Sequence, residues 1–418
     1  MQAHGPNGSG HGHNGHAQKT QVSFYAPGAF PSSKGSGAPP IYVVAGGGRR
    51  PREAGELDGK IRETTGPSEL MQLVASALPR FDTGNVVVAF TTAAKFEGCE
   101  LQSSWSALLE RLLEATEFLE PRGLSMTAYA AAKLVYGDQR LLVPLATTSV
   151  RSASRFGATD VAKACWAFAK LRFVEEPPAR TFWQAMVEPA VRVLRGARFV
   201  DVSMICWAFA STDQASEALL KEAKDETEAV LTELPPRSLA GVAWAFARAN
   251  HSDRTLFELL ARRAEEVLAD FTAHDAASFC WALSRAQVPQ KQLFESLAMH
   301  LNQPGERHVS ALRRLSPPLA AELAWAWAAG CVEAPAAFGT LAELFLSSME
   351  TLETEDVAGF AWSFATTRLG HPAVFRAIAG YAERFAGRFR PAELQVLSWA
   401  LAQSGCPIGP RFTAVARG

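Results

Sequence analysis

From about residue 68 to residue 410 the apolar positions return in one helical pattern, and the pattern itself repeats. An aromatic flanked by small residues marks the centre of each unit. The strongest copies read CysTrpAlaPheAlaLys at 165–170, CysTrpAlaPheAlaSer at 206–211, AlaTrpAlaPheAlaArg at 243–248 and CysTrpAlaLeuSerArg at 280–285. They continue as AlaTrpAlaTrpAlaAla at 324–329, AlaTrpSerPheAlaThr at 361–366 and SerTrpAlaLeuAlaGln at 398–403, and weaker copies centre on Tyr129 and Thr91. Steps between centres are 38, 37, 41, 37, 37, 44, 37 and 37 residues, a period typical of helical hairpins.

Each unit divides into two helices. Asn85, Asp160, Asp201, Ser238, Asp275 and Asp356 stand six positions before their centres. A short polar side chain there is expected to cap a first helix of about eleven residues. Turn formers follow, such as GluGluProPro at 175–178 and AsnHisSerAsp at 250–253. A second helix is then marked by Phe257, Phe294, Phe338 and Phe375, each thirteen positions past its centre. Residues 68–78 read as one more helix of the second kind, sealing the start. Hairpins this short bury a broad apolar face only by stacking, which predicts an all-α solenoid of about nine repeats over 67–418.

With the central aromatic as position 0, a turn of about 100° per residue puts −5, −2, −1, 0, +2 and +3 on one apolar arc. Positions −3, +1 and +4 share the remaining strip. At +1 the residue is always small, from Thr92 through Ala167, Ala208 and Ala245 to Ala400. At −3 it varies, with Lys163 and Ser278 among the polar occupants, and at +4 five of nine are cations: Lys95, Lys133, Lys170, Arg248 and Arg285. Trp166, Trp207, Trp244, Trp281, Trp325, Trp362 and Trp399 are expected to be structural, packed in the core between hairpins. The +4 cations fit either solvated helix ends, where they complement the macrodipole, or contacts to phosphate.

These units resemble the heptatricopeptide and octotricopeptide repeats, and they are similar to the helical part of the FAST-kinase-related proteins, which carry a RAP domain, and of RNA-editing substrate-binding complex subunits. The resemblance covers roughly 68–410. It implies an RNA-binding protein that supports organellar RNA processing, stability or translation, in mitochondrion or plastid, with single-stranded RNA and ribonucleoprotein subunits as partners. In that setting the candidate RNA contacts are Lys95, Lys133, Lys170, Arg248, Arg285, Lys163 and Ser278. The chain runs only nineteen residues past Trp399, so no RAP domain is expected after the repeats.

Charge tempers that expectation. Residues 1–66 hold seven basic and four acidic side chains, which leaves 34 basic against 38 acidic for the body, out of 41 and 42 in the chain. A weakly acidic body lacks the basic excess of a charge-driven nucleic-acid binder, and it favours the alternative of a protein scaffold of armadillo or HEAT character. The 44-residue step adds seven residues, placed by the reading in 306–318, where Arg307, His308, Arg313 and Arg314 are either a solvated loop or phosphate contacts.

The stretch 1–66, rich in Gly, Ser, Pro and His, shows no apolar periodicity and reads as a disordered tail. Its first fifty residues contain no acid, as in organelle transit peptides, but Arg is sparse and no amphipathic helix is evident. His4, His11, His13 and His16 lack the fixed thiolate or imidazole geometry of a metal site, so no metal or other cofactor is expected. Six cysteines without a Cys-x-x-Cys pair indicate a reducing compartment, and Cys165, Cys206 and Cys280 at −1 read as small inert hydrophobes. No apolar run is long enough to span a membrane, and no phosphate-binding loop, nucleophile elbow or His-Glu-x-x-His is present. An enzyme, and a small-molecule substrate with it, is therefore the least economical expectation.

Overall fold

The computed structural model describes residues 52–304, 310–367, 369 and 371–417. Within them the chain is an α-solenoid of consecutive hairpins. In chain order the helices are α1 (Arg52–Glu63), α2 (Pro67–Ala77), α3 (Thr83–Ala93), α4 (Trp105–Ala115), α5 (Pro121–Lys133), α6 (Gln139–Arg151) and α7 (Ala158–Lys170). Next come α8 (Pro177–Leu194), α9 (Phe199–Ser211), α10 (Glu217–Ala229), α11 (Pro236–Arg248), α12 (Arg254–Glu266), α13 (Ala273–Arg285) and α14 (Lys291–Asn302). The remainder are α15 (Pro317–Ala329), α16 (Pro335–Ser348), α17 (Thr354–Thr367), α18 (Pro372–Phe385), α19 (Pro391–Gln403) and α20 (Pro410–Arg417).

Odd-numbered helices form one row and even-numbered helices the other. From α5 onward each odd helix packs most closely on the next odd helix, while the even helices meet along much less of their length. A stack closer along one row than the other bends with the close row inside. What permits the approach is position +1: Ala167, Ala208, Ala245, Ala282, Ala326, Ser363 and Ala400 are all fully buried between odd helices. This corrects the sequence reading, which put +1 on an open strip. At +2 large side chains are fully buried, as Phe168, Phe209, Phe246 and Trp327, and Phe257, Phe294, Phe338 and Phe375 of the second helices are buried as expected.

Helix starts also differ from the expectation. The odd helices begin two residues before the polar marker, so Asn85, Asp160, Asp201, Ser238 and Asp275 occupy the third helical position and not the cap. There a carboxylate or amide faces the free N–H groups and complements the dipole. Asp82 caps α3 in a reciprocal capping box with Asn85, and Thr272 caps α13. Pro121, Pro236, Pro317 and Pro391 open their helices at the first position, where the missing N–H costs nothing. Two of the markers are also held by the preceding repeat: Ser125 donates to Asp160 at 2.8 Å and Thr159 to Asp201 at 3.0 Å. Just outside these starts an apolar residue is buried, among them Phe81, Leu119, Phe156, Leu234 and Phe271, the place a hydrophobic staple occupies.

The helix ends share a second device. Val135, Arg172, Asp213, Asn250, Gln287 and Cys331, all at +6, have φ between 54° and 60°. The following N–H then reaches back to close the helix, as from Phe173 to the Phe168 carbonyl at 2.9 Å and from Val288 to that of Leu283 at 2.9 Å. Gly405 takes the same place after α19 with φ 66°. This left-handed closure turns the chain into the second helix of every such repeat.

The two irregular steps are explained. The 41-residue step holds α8, which is 18 residues long where most neighbouring second helices have 13, and the 44-residue step lengthens the link between α14 and the usual 3-10 turn, here Ala311–Arg314, with Pro304 and Ser310 bridged across it and 305–309 outside the described residues. At the start, α1 packs on α3 through Leu57 and Ile61, although the sequence reading assigned it to the tail. The solenoid therefore begins by Arg52 and not at 67. The tail reading for 1–51, its histidines included, and the loop residues Arg307 and His308 lie outside the described residues.

Candidate functional site

Seen down the odd row, positions −7, −3, 0 and +4 make the surface that no neighbouring helix covers, spaced as one face of an α-helix. The repeated tryptophans lie on it. Trp166, Trp207, Trp244, Trp281, Trp325 and Trp362 are half-buried against the core margin, and Trp399 is 42% exposed. The expectation that they fill the interior is thus corrected, because the backbones approach too closely at +1 to admit an indole and +2 already occupies the centre. Pushed to the margin, the rings pack on one another. Tyr129 meets Trp166 at 5.1 Å between centroids, Trp166 meets Trp207 at 6.4 Å, Trp207 meets Trp244 at 6.0 Å and Trp244 meets Trp281 at 6.2 Å. Across the inserted residues, where the centres are 44 apart, no ring contact joins Trp281 to Trp325 among the described residues, and the ladder resumes with Trp325 and Trp362 at 6.3 Å.

The residues beside the ladder change character along it. Lys95, Lys133 and Lys170 are exposed and make no ion pair among the described residues. Arg248 pairs with Asp213 of the preceding repeat at 3.0 Å, and Arg285 donates to Asn250 at 3.1 Å, so these two are partly engaged by the left-handed +6 residue one repeat earlier. Lys163 folds onto the strip, donating to the Met126 sulfur at 3.1 Å and lying 5.9 Å from the Tyr129 ring. Ser278 is a half-buried −3 residue, and at Gly241, its counterpart one repeat earlier, a Cβ would lie 2.3 Å from Ser203 Oγ, so that hydroxyl would have to rotate away. Arg313, in the 3-10 turn before α15, is held in an ion pair with Glu343.

Further on, the surface becomes a groove of about 840 Å³ lined by Trp244, Trp281, Trp325 and Trp362 and by the carboxylates of Glu322, Glu353, Glu355, Asp356 and Glu393. Arg390 also lines it and pairs with Glu355 at 2.8 Å and Glu393 at 2.5 Å. Glu322, Glu353 and Asp356 form no ion pair among the described residues. Desolvation, followed by repulsion from Asp356 and Glu355, raises the pKa of Glu322. Asp356 is raised as well, first by burial and further by Glu355 and Glu353, against a lowering hydrogen bond from the Glu353 backbone. Sequence reasoning missed this acidic section although Glu353, Glu355 and Asp356 are neighbours in the chain, because only the stacking of repeats adds Glu322 and Glu393 to them and sets all five beside the tryptophans.

Cys165, Cys206 and Cys280 lie under the odd row, and burial pushes their thiols up, that of Cys206 to about 12, so they stay protonated and inert. No cluster of three metal-ligating side chains occurs among the described residues, and no helix there is long and apolar enough to cross a membrane. No protein-family model matches the chain, and no curated protein matches it.

Proposed function

We propose that the protein binds single-stranded RNA along the ladder between Tyr129 and Trp281, without chemistry of its own. The observation that carries this reading is the unbroken run of half-buried rings in contact from repeat to repeat, beside exposed Lys133 and Lys170. Every base has a π face, and stacking on an aromatic side chain is worth roughly 1–3 kcal/mol per base. The lysines supply phosphate contacts at a regular pitch, with Lys95 extending the line one repeat earlier. Because Arg248 and Arg285 are partly engaged, the electrostatic contribution is small, which suits a body without basic excess.

The resemblance to organellar helical-repeat proteins extends the proposal: the bound RNA is a mitochondrial or plastid transcript, and binding supports its processing, stability or translation. The test is a gel-shift titration with a twelve-nucleotide oligouridine at several salt concentrations. The triple variant Lys95→Glu, Lys133→Glu, Lys170→Glu should bind more weakly and lose about 2 from the log–log salt slope, at roughly 0.7 per phosphate contact. An unchanged affinity and slope would remove the strip as the RNA site.

A further inference from the structure

The section of the groove beyond Trp281 has the wrong sign for phosphate. We propose that it is a separate docking site for an extended polypeptide segment bearing Arg or Lys at alternate positions, each cationic head seated between an indole and a carboxylate. Charge complementarity names the occupant: five carboxylates line the groove against two arginines, Arg248 being paired to Asp213 outside it and Arg390 to Glu355 and Glu393, so Glu322, Glu353 and Asp356 make no ion pair among the described residues, and the indole faces beside them attract a cation. A neutral apolar ligand would leave these carboxylates repelling one another, and RNA would add to the repulsion. Arg390 shows within the molecule that a guanidinium fits: it lies in this groove and bridges Glu355 and Glu393. Geometry sets the spacing. The rings of Trp325 and Trp362 stand 6.3 Å apart, close to the roughly 6.6 Å between side chains two residues apart on an extended chain. Beyond Trp281 the groove runs past two rungs, Trp325 and Trp362, which is more than a single ammonium group occupies. The raised pKa of Glu322 and Asp356 accords with a site whose charge is unbalanced until a ligand arrives.

This assignment does not rest on the RNA reading. Its test is fluorescence anisotropy of the full chain with a labelled peptide of four Arg alternating with Ser, at near-physiological salt. Saturable binding is expected, weakened about tenfold or more by Glu322→Gln with Asp356→Asn and by Trp325→Ala with Trp362→Ala, and unaltered by the triple lysine variant used for RNA. The carboxamide pair is isosteric, and circular dichroism confirms its fold. Absence of saturable binding would overturn the proposal. So would wild-type affinity in the folded carboxamide variant, or competitive displacement of the peptide by the oligouridine, which would assign the groove to RNA.

Discussion

Trp207 and Trp244, one from each of two successive repeats, stand with ring centroids 6.0 Å apart and planes 30° from parallel. Their contact is the unit of the ladder, and it forms at the margin of the core and not inside it. The neighbouring Phe209 and Phe246 are the fully buried aromatics.

That division predicts opposite outcomes for two substitutions in α11. Phe246→Ala empties the interior of a hairpin and should destabilise by about 3–5 kcal/mol. Trp244→Ala removes a half-buried ring and its two ring contacts, about 1–2 kcal/mol, while weakening oligouridine binding more than Phe246→Ala does in protein that remains folded. Urea melts and titrations of both variants check this; equal stability losses would return Trp244 to the core.

Val135 follows α5 with φ 54°, in a region that β-branched side chains disfavour, and its side chain is 66% exposed. Val135→Gly should therefore stabilise the protein by about 1 kcal/mol, the left-handed penalty less the greater chain entropy of Gly. A thermal melt that shows no gain, or a loss, would mean that Val135 contributes packing sufficient to offset its backbone strain.

Glu322 and Asp356 have pKa values above their ordinary ones, so the folded state binds protons more tightly than the unfolded chain does. Their contribution is fully present below the unfolded carboxylate range and is lost as pH rises through the folded values. Glu322→Gln should consequently raise the melting temperature at pH 7, and the gain should shrink toward pH 4. A variant less stable than wild type at pH 7 would contradict the repulsion inferred for the groove.

Much of this fold was legible without coordinates. The 37-residue register, the odd and even helices and the buried Phe257, Phe294, Phe338 and Phe375 follow from periodicities a few residues long, which backbone hydrogen bonding enforces locally. Even α1 carried its signal, Ala54, Leu57 and Ile61 at helical spacing, hidden in a Gly-rich context without a tryptophan.

What sequence could not decide is which of two adjacent positions faces inward. Hydropathy places the indole inside and is indifferent to the alanine beside it; the stack reverses this, because the approach of neighbouring odd helices admits only a small side chain at Ala245 and displaces Trp244 to the rim. Tertiary structure alone also brings Glu322 and Glu393 to the acidic start of α17, where Glu353, Glu355 and Asp356 already stand together in sequence, since carboxylates of three successive repeats meet only when the hairpins are stacked.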